Sequence, residues 1–225
     1  LDIPAQGARK LLDGRVSLGL VPVAVLEQMP DARIVADWCI GCDGPVQTVG
    51  VYGDVPIEDM DRIWLDHHSM TSVRLLQLLL RDHWDLQPTL EPTRPGYRMR
   101  LSGGLGPREG ALVIGDRSIG LAGRFAYTYD LGEAWKAHTG GPFVFAVWAA
   151  RVDLPRAFRD AFNQALAHGV ANIPAVVREY PESLPAGFDL EAYLTQAIRY
   201  PFGEAQREAL AYFLAGIGHR PVALA

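Results

Sequence analysis

The apolar positions along this chain fall into short blocks whose period changes from one block to the next. Pro4–Leu12 reads as a short helix that Gly14 ends. Val16–Val21 and Ile34–Asp37 read as strands, Pro45–Tyr52 as a long β-rich run and Arg62–Asp66 as a short strand. Ser69 or Thr71 then caps a helix running to about Asp82, on which Val73, Leu76, Leu79 and Leu80 form an apolar face. Glu91–Pro107, rich in Gly, Pro and Arg, reads as a loop, followed by a buried strand at Ala111–Gly115 and a short one at Tyr127–Tyr129. Asp130 is placed to cap a helix over Leu131–His138, and Gly140 to stop it. Pro142–Ala150 is almost wholly apolar and rich in β-formers, which predicts a strand covered on both faces. From Pro155 onward the chain reads as helical in three or four pieces. Asp189 caps Leu190–Tyr200, and Glu204–Ala215 carries Leu210, Phe213 and Leu214 on one side.

Strands alternating with helices predict an α/β fold with mainly parallel sheets. The two long strand runs bracket a central segment, which predicts two lobes joined by crossover strands. Residues 1–50 with 149–225 then form one lobe and residues 51–148 the other. In such sheets a ligand sits beyond the carboxyl ends of the strands. That places a cleft near Gly44–Thr48, Ser69–Ser72, Gly115–Asp116 and Pro142–Phe143.

Composition narrows the function classes. The chain has 225 residues, 49% hydrophobic and 21% charged, which suits a packed soluble domain and not a disordered one. A net charge of −5 argues against nucleic acid as a partner, since no basic stripe is present. The longest apolar stretches, Phe143–Ala150 and Leu75–Leu80, fall far short of the ~20 residues of a membrane span. Two cysteines make no disulfide scaffold, and a reducing compartment fits. They spell C-x-x-C at Cys39 and Cys42, but at a strand-to-loop junction with no second ligand pair, so they read as two small buried residues.

Three places carry candidate chemistry. The run Ser69-Met-Thr-Ser72 opens a helix after a strand, where free N–H groups, the helix dipole and three hydroxyls would cradle a carboxylate or phosphate. Plain N-capping explains the same residues. At Ile114-Gly-Asp-Arg117, Gly115 permits close approach of a ligand to the backbone, and Asp116 can accept a hydroxyl proton or hold a neighbour. The alternative is a surface turn with Arg117 paired to Asp116. His67 and His68 read as loop histidines, with His67 also able to face the cleft. No Gly-x-Ser-x-Gly elbow occurs, and Gly103-Gly-Leu-Gly106 lacks the strand, helix and lysine of a phosphate loop.

The nineteen-residue block from Asp130 to Trp148, DLGEAWKAHTGGPFVFAVW, resembles a block of the chorismate dehydratases of the futalosine route to menaquinone. Leu20–Val23 (LVPV), Cys42–Val46 (CDGPV), Thr71–Val73 (TSV) before a leucine-rich helix, and Ile114–Arg117 (IGDR) agree with that family in order and spacing. The resemblance implies a two-lobed, periplasmic-binding-protein-like (type II) fold used as a cytoplasmic enzyme. It implies loss of water from chorismate to give 3-[(1-carboxyvinyl)oxy]benzoate. The alternatives on the same fold are a 1,4-dihydroxy-6-naphthoate synthase and a non-catalytic solute-binding protein.

With chorismate as substrate the cleft needs two anion sites. Ser69, Thr71 and Ser72 are expected to form one, and Pro45, Gly115 and Phe143 to line the substrate. Thr48 is expected to hold the departing hydroxyl or a carboxylate, and Asp116 to act as the base or to orient a neighbour. The substrate's own side-chain carboxylate is a further candidate to take the proton. No metal and no organic cofactor is called for, and the oligomeric state is left open. Two departures from the family matter. Thr48 stands where the family usually has serine, which keeps the hydroxyl but restricts its rotamers. The family opens on a strand ending in Leu-Asn, and this sequence is expected to start beyond it, with weak or absent activity as the consequence.

Overall fold

The computed structural model describes residues 4–66, 70–93, 104–180, 184–218 and 223–224. Helix α1 (Pro4–Leu12) leads into strand β1 (Leu18–Pro22), a 3-10 turn (Val23–Gln28) and β2 (Arg33–Cys42). Then come β3 (Val49–Gly53), β4 (Arg62–Leu65), α2 (Met70–Asp82), β5 (Thr89–Pro92), β6 (Glu109–Ile114), α3 (Asp116–Ile119) and β7 (Tyr127–Asp130). Helix α4 (Leu131–Thr139) precedes β8 (Phe143–Ala150), after which α5 (Arg156–Ala171) and α6 (Ile173–Glu179) follow. The remainder holds α7 (Leu190–Ala192), β9 (Arg199–Pro201), α8 (Glu204–Gly216) and β10 (Ala223–Leu224).

The strands form two five-stranded sheets. The first has the order β1-β8-β2-β10 with β9 also on β2; the second runs β5-β4-β6-β3-β7. The α/β architecture is as expected, but the first sheet is not mainly parallel. β8 returns from the second sheet and inserts between β1 and β2, so it runs against both, and β9 also runs against β2. Among the described residues, β10 pairs with β2 in parallel. In the second sheet β4 is parallel to β5 and β6, while β3 opposes β6 and β7. The chain changes sheets earlier than the expected division at 50/51 and 148/149. Val49 already pairs with Ile114 in the second sheet, and Phe143 already pairs with Cys42 in the first.

Two elements differ from the pattern of the sequence for local reasons. The run from Pro45 to Thr48 is not strand. Pro45 lacks an N–H, Gln47 takes a left-handed φ of 66°, and the N–H groups of Val46 and Gln47 turn to the Asp130 carboxylate. The expected helix Leu190–Tyr200 stops after α7, passes through a π-helical segment (Tyr193–Ala197) and becomes β9. Pro201 cannot continue a helix and biases Tyr200 toward extended backbone. The Cys39 thiol meets the carbonyls of Arg199 and Pro201 at 3.8 and 3.6 Å.

Helix α4 obeys its local signals. The Asp130 side chain accepts from the N–H groups of Gly132 and Glu133, and Gly140 closes the helix at φ 76°. Helix α2 is amphipathic, with Leu75, Leu76, Leu78, Leu79 and Leu80 buried and Met70, Arg74, Gln77 and Arg81 exposed along one stripe. It packs against the 3-10 turn, β8 and α4. One continuous apolar cluster therefore runs from Val21 and Val147 in the first sheet through α2 to Val51 and Ile63 in the second. Among the described residues no helix is long and apolar enough to cross a membrane.

Candidate active site

Thr48 ends the irregular bridge between the sheets and is 3% exposed. Its carbonyl accepts the N–H of Gly115 at 2.7 Å. Its Oγ1 lies 2.9 Å from the Tyr193 phenol oxygen, a hydrogen bond in which either hydroxyl can donate. The neighbouring Gln47, at φ 66°, holds a conformation that costs a non-glycine residue on the order of 1 kcal/mol, and such strain concentrates at functional sites.

The β6 end supplies the second wall. Gly115 has φ 64° and ψ −154°, a region essentially reserved for glycine, which turns the chain sharply from β6 into α3. The Ser118 hydroxyl donates to the Gly115 carbonyl at 2.7 Å and holds that turn. Asp116, the first residue of α3, is exposed. Arg117 does not pair with it. Its guanidinium reaches back to Asp66, 2.5 Å away at the end of β4, and Asp66 also accepts the N–H of Ile114 at 3.3 Å. A nearly buried carboxylate therefore anchors the turn that presents Asp116.

Burial raises the Tyr193 phenol above its ordinary value; the Thr48 hydrogen bond opposes this and the negative charge of Asp116 adds to it. The phenol thus stays protonated and can donate. Cys39 and Cys42 are free and buried, and burial pushes both thiols up to about 12. They are packing residues of β2, as their place in the sequence suggested.

Of the expected site residues, Thr48, Gly115 and Asp116 come together, with Pro45 exposed on the same bridge. Phe143 does not join them. It is 1% exposed, its ring packed against Trp135, Phe145 and Phe213. Thr71 and Ser72 lie buried in the first turn of α2. The Thr71 hydroxyl donates to the Phe145 carbonyl and accepts from the Ala24 N–H, so it fastens α2 to the first sheet. Ser69, His67 and His68 lie outside the described residues. Three residues escaped the sequence reading: Tyr193, Asp66 and the bridging role of Asp130. Asp130 was recognised as a cap, but its carboxylate also receives the N–H groups of Val46 and Gln47 across 84 and 83 residues.

A family described as menaquinone biosynthesis matches residues 1–217. The chorismate dehydratase of Thermus thermophilus is 29% identical over 236 residues, covering 96% of this chain and 85% of the relative. A crystal structure of an Archaeoglobus fulgidus protein superposes with a TM-score of 0.70 at 20% identity, over 96% of this chain and 83% of that one. The alkanesulfonate-binding protein of Xanthomonas axonopodis pv. citri superposes with a TM-score of 0.58 at 14% identity, over 99% and 85%. The fold is that of the periplasmic binding proteins, and the resemblance in the sequence blocks agrees with the family match: the chain belongs to the menaquinone biosynthesis family.

Proposed function

We propose that this chain is a chorismate dehydratase, a cytoplasmic hydro-lyase that converts chorismate to 3-[(1-carboxyvinyl)oxy]benzoate on the futalosine route. The family match and the Thermus thermophilus relative support it. The observation that carries it is the hydrogen bond between the Thr48 carbonyl and the Gly115 N–H, which holds a buried hydroxyl and an exposed carboxylate at one junction.

The reaction breaks the ring C–OH bond and removes the proton from the neighbouring ring carbon. The electron pair of that C–H bond completes the aromatic ring, and hydroxide plus the proton leave as water. Aromatisation supplies much of the driving force, so the protein has to orient the ring, stabilise the leaving oxygen and accept a proton. Thr48 donates to the departing hydroxyl. Asp116 accepts the ring proton; if it only orients the substrate, the enolpyruvyl carboxylate is the base. Pro45 and the Gly115 backbone bound the ring. One substrate carboxylate is assigned to the start of α2, where the helix dipole favours an anion. Thr71 and Phe143 drop out of this assignment, because the Thr71 hydroxyl is spent on Phe145 and Ala24 and the Phe143 ring is in the aromatic core.

The test is chorismate turnover followed by mass spectrometry. A product lighter by one water, formed much more slowly but still measurably by Thr48→Ala, supports the assignment. Full turnover in Asp116→Asn would move the base to the substrate carboxylate. Chorismate bound but returned unchanged would favour a solute-binding protein, which the likeness to the alkanesulfonate-binding protein keeps as the second reading. No binding would direct attention to the substrate of the naphthoate synthase.

A further inference from the structure

Tyr193 reaches the junction from a part of the chain that carries no other member of the site. It opens the π-helical segment Tyr193–Ala197, a widened turn of the kind that recurs at functional sites. The segment is held at both ends. Its first N–H donates to the Asp189 carbonyl at 2.9 Å, and the Ile198 N–H returns to the Tyr193 carbonyl at 3.0 Å. Immediately beyond, β9 is pinned to β2 at Trp38 and Gly41. The Tyr193 ring rests against Phe188, with centroids 5.4 Å apart. A regular helix through Tyr200 would not combine this placement of the phenol with the entry into β9. The backbone irregularity therefore delivers one hydroxyl to one partner, Thr48 Oγ1.

The direction of that hydrogen bond decides what Thr48 can do. A threonine hydroxyl has one proton and two lone pairs. If Thr48 donates to Tyr193, it has no proton left for a ligand. If Tyr193 donates, a lone pair of Thr48 is satisfied and its own proton is available. A phenol is a more acidic hydroxyl than an aliphatic alcohol and so the better donor of the two, and at 2.9 Å this favours the second arrangement.

We propose that Tyr193 is a positioning residue for the dehydration: its phenol donates to Thr48 Oγ1 and so turns the Thr48 proton toward the departing ring hydroxyl. This rests on the chorismate dehydratase reading above. The phenol gives up no proton in the reaction and does not touch the substrate.

The experiment is a double-mutant cycle on turnover of chorismate, using the wild-type chain, Tyr193→Phe, Thr48→Ala and the double variant, with thermal unfolding followed in parallel. Loss of one hydrogen bond made stronger in the transition state lowers kcat about 10-fold in Tyr193→Phe, with KM nearly unchanged. In the Thr48→Ala background the same substitution changes kcat less than about 2-fold, since the group it acts through is gone. Equal losses in both backgrounds, or a loss confined to KM, would overturn the positioning role while leaving the activity in place. A Tyr193→Phe chain as active as wild type would also overturn it. Absence of turnover in the wild-type chain would overturn the activity itself and, with it, the role given to Tyr193.

Discussion

The Asp130 carboxylate is the joint between the two crossings of the chain, and its removal has a calculable cost. Oδ1 accepts from Gly132 at 2.8 Å and Glu133 at 3.0 Å, Oδ2 accepts from Gln47 at 2.6 Å, and Val46 donates to both oxygens at 3.1 and 3.0 Å. In Asp130→Ala all four N–H groups lose their acceptor. Those of Gln47 and Glu133 lie where water can replace it, whereas those of Val46 and Gly132 are partly buried. Loss of the cap costs about 1 kcal/mol, and a partly buried N–H left unmade adds about 1–2 kcal/mol, for a total of about 2–3 kcal/mol. For a chain of this length that is a fall in Tm of about 4–12 °C. Asp130→Asn keeps one oxygen and the side-chain shape, so it costs about 1 kcal/mol. Urea unfolding of the three proteins, with Tm from circular dichroism, measures both steps. An Asp130→Ala protein within about 0.5 kcal/mol of wild type would refute the idea that this carboxylate holds the bridge.

Gly132→Ala should be destabilising by about 1–3 kcal/mol, because its Cβ would meet the Gly44 carbonyl at 2.5 Å and Cys42 Sγ at 2.7 Å; equilibrium unfolding reads it directly. Asp66→Ala leaves the Arg117 guanidinium, whose side chain is 26% exposed, without its carboxylate, and should cost about 2–3 kcal/mol while lowering turnover by loosening the Gly115–Asp116 turn. With both thiols pushed up to about 12 from an ordinary 9.0, the folded state holds two protons that the unfolded state releases first. Their contribution to stability is therefore complete below pH 9 and declines as pH rises toward 12, which unfolding curves at pH 8 and pH 10.5 would reveal. A thiol reagent at pH 8 should likewise label neither cysteine in the folded protein and both in urea.

What the sequence disclosed divides by range. Helix α4 was legible because its signals are adjacent: a cap at Asp130, an apolar face with Trp135, and Gly140 in a left-handed conformation that glycine adopts without strain. β8 was legible from its unbroken apolar run, and the nearness of Thr48 to Gly115 and Asp116 from the rule that sites gather at strand ends, though not the hydrogen bond that joins them. The direction of β8 was not, since strand polarity depends on where the chain has been, which periodicity does not encode. Thr48 and Tyr193 are 145 residues apart, and Arg117 and Asp66 are 51 apart, with nothing in either spacing to link them. The π-helical segment hid Tyr193 in what reads as plain helix, although the Ile-Arg-Tyr-Pro sequence that follows already favours extended chain. Phe143 was misplaced because a strand end was equated with a cleft, whereas its ring points into the aromatic core.

The seating of α2 bears on how a ligand would be received. A receptor built as a clamshell announces its cargo by shutting, and it needs two halves that part along a dry seam. Here a leucine-rich rod is common property of both halves, and Thr71 rivets its first turn to Ala24 and Phe145. Prising the sheets apart would strip that rod and draw the rivet. Admission of a small molecule then falls to the rim, where Pro45, Gln47 and Asp116 face solvent, while the body keeps its outline. X-ray scattering profiles with and without ligand should superimpose: the molecule would work as a fixed mould, and the ring of the substrate would be the part that changes shape.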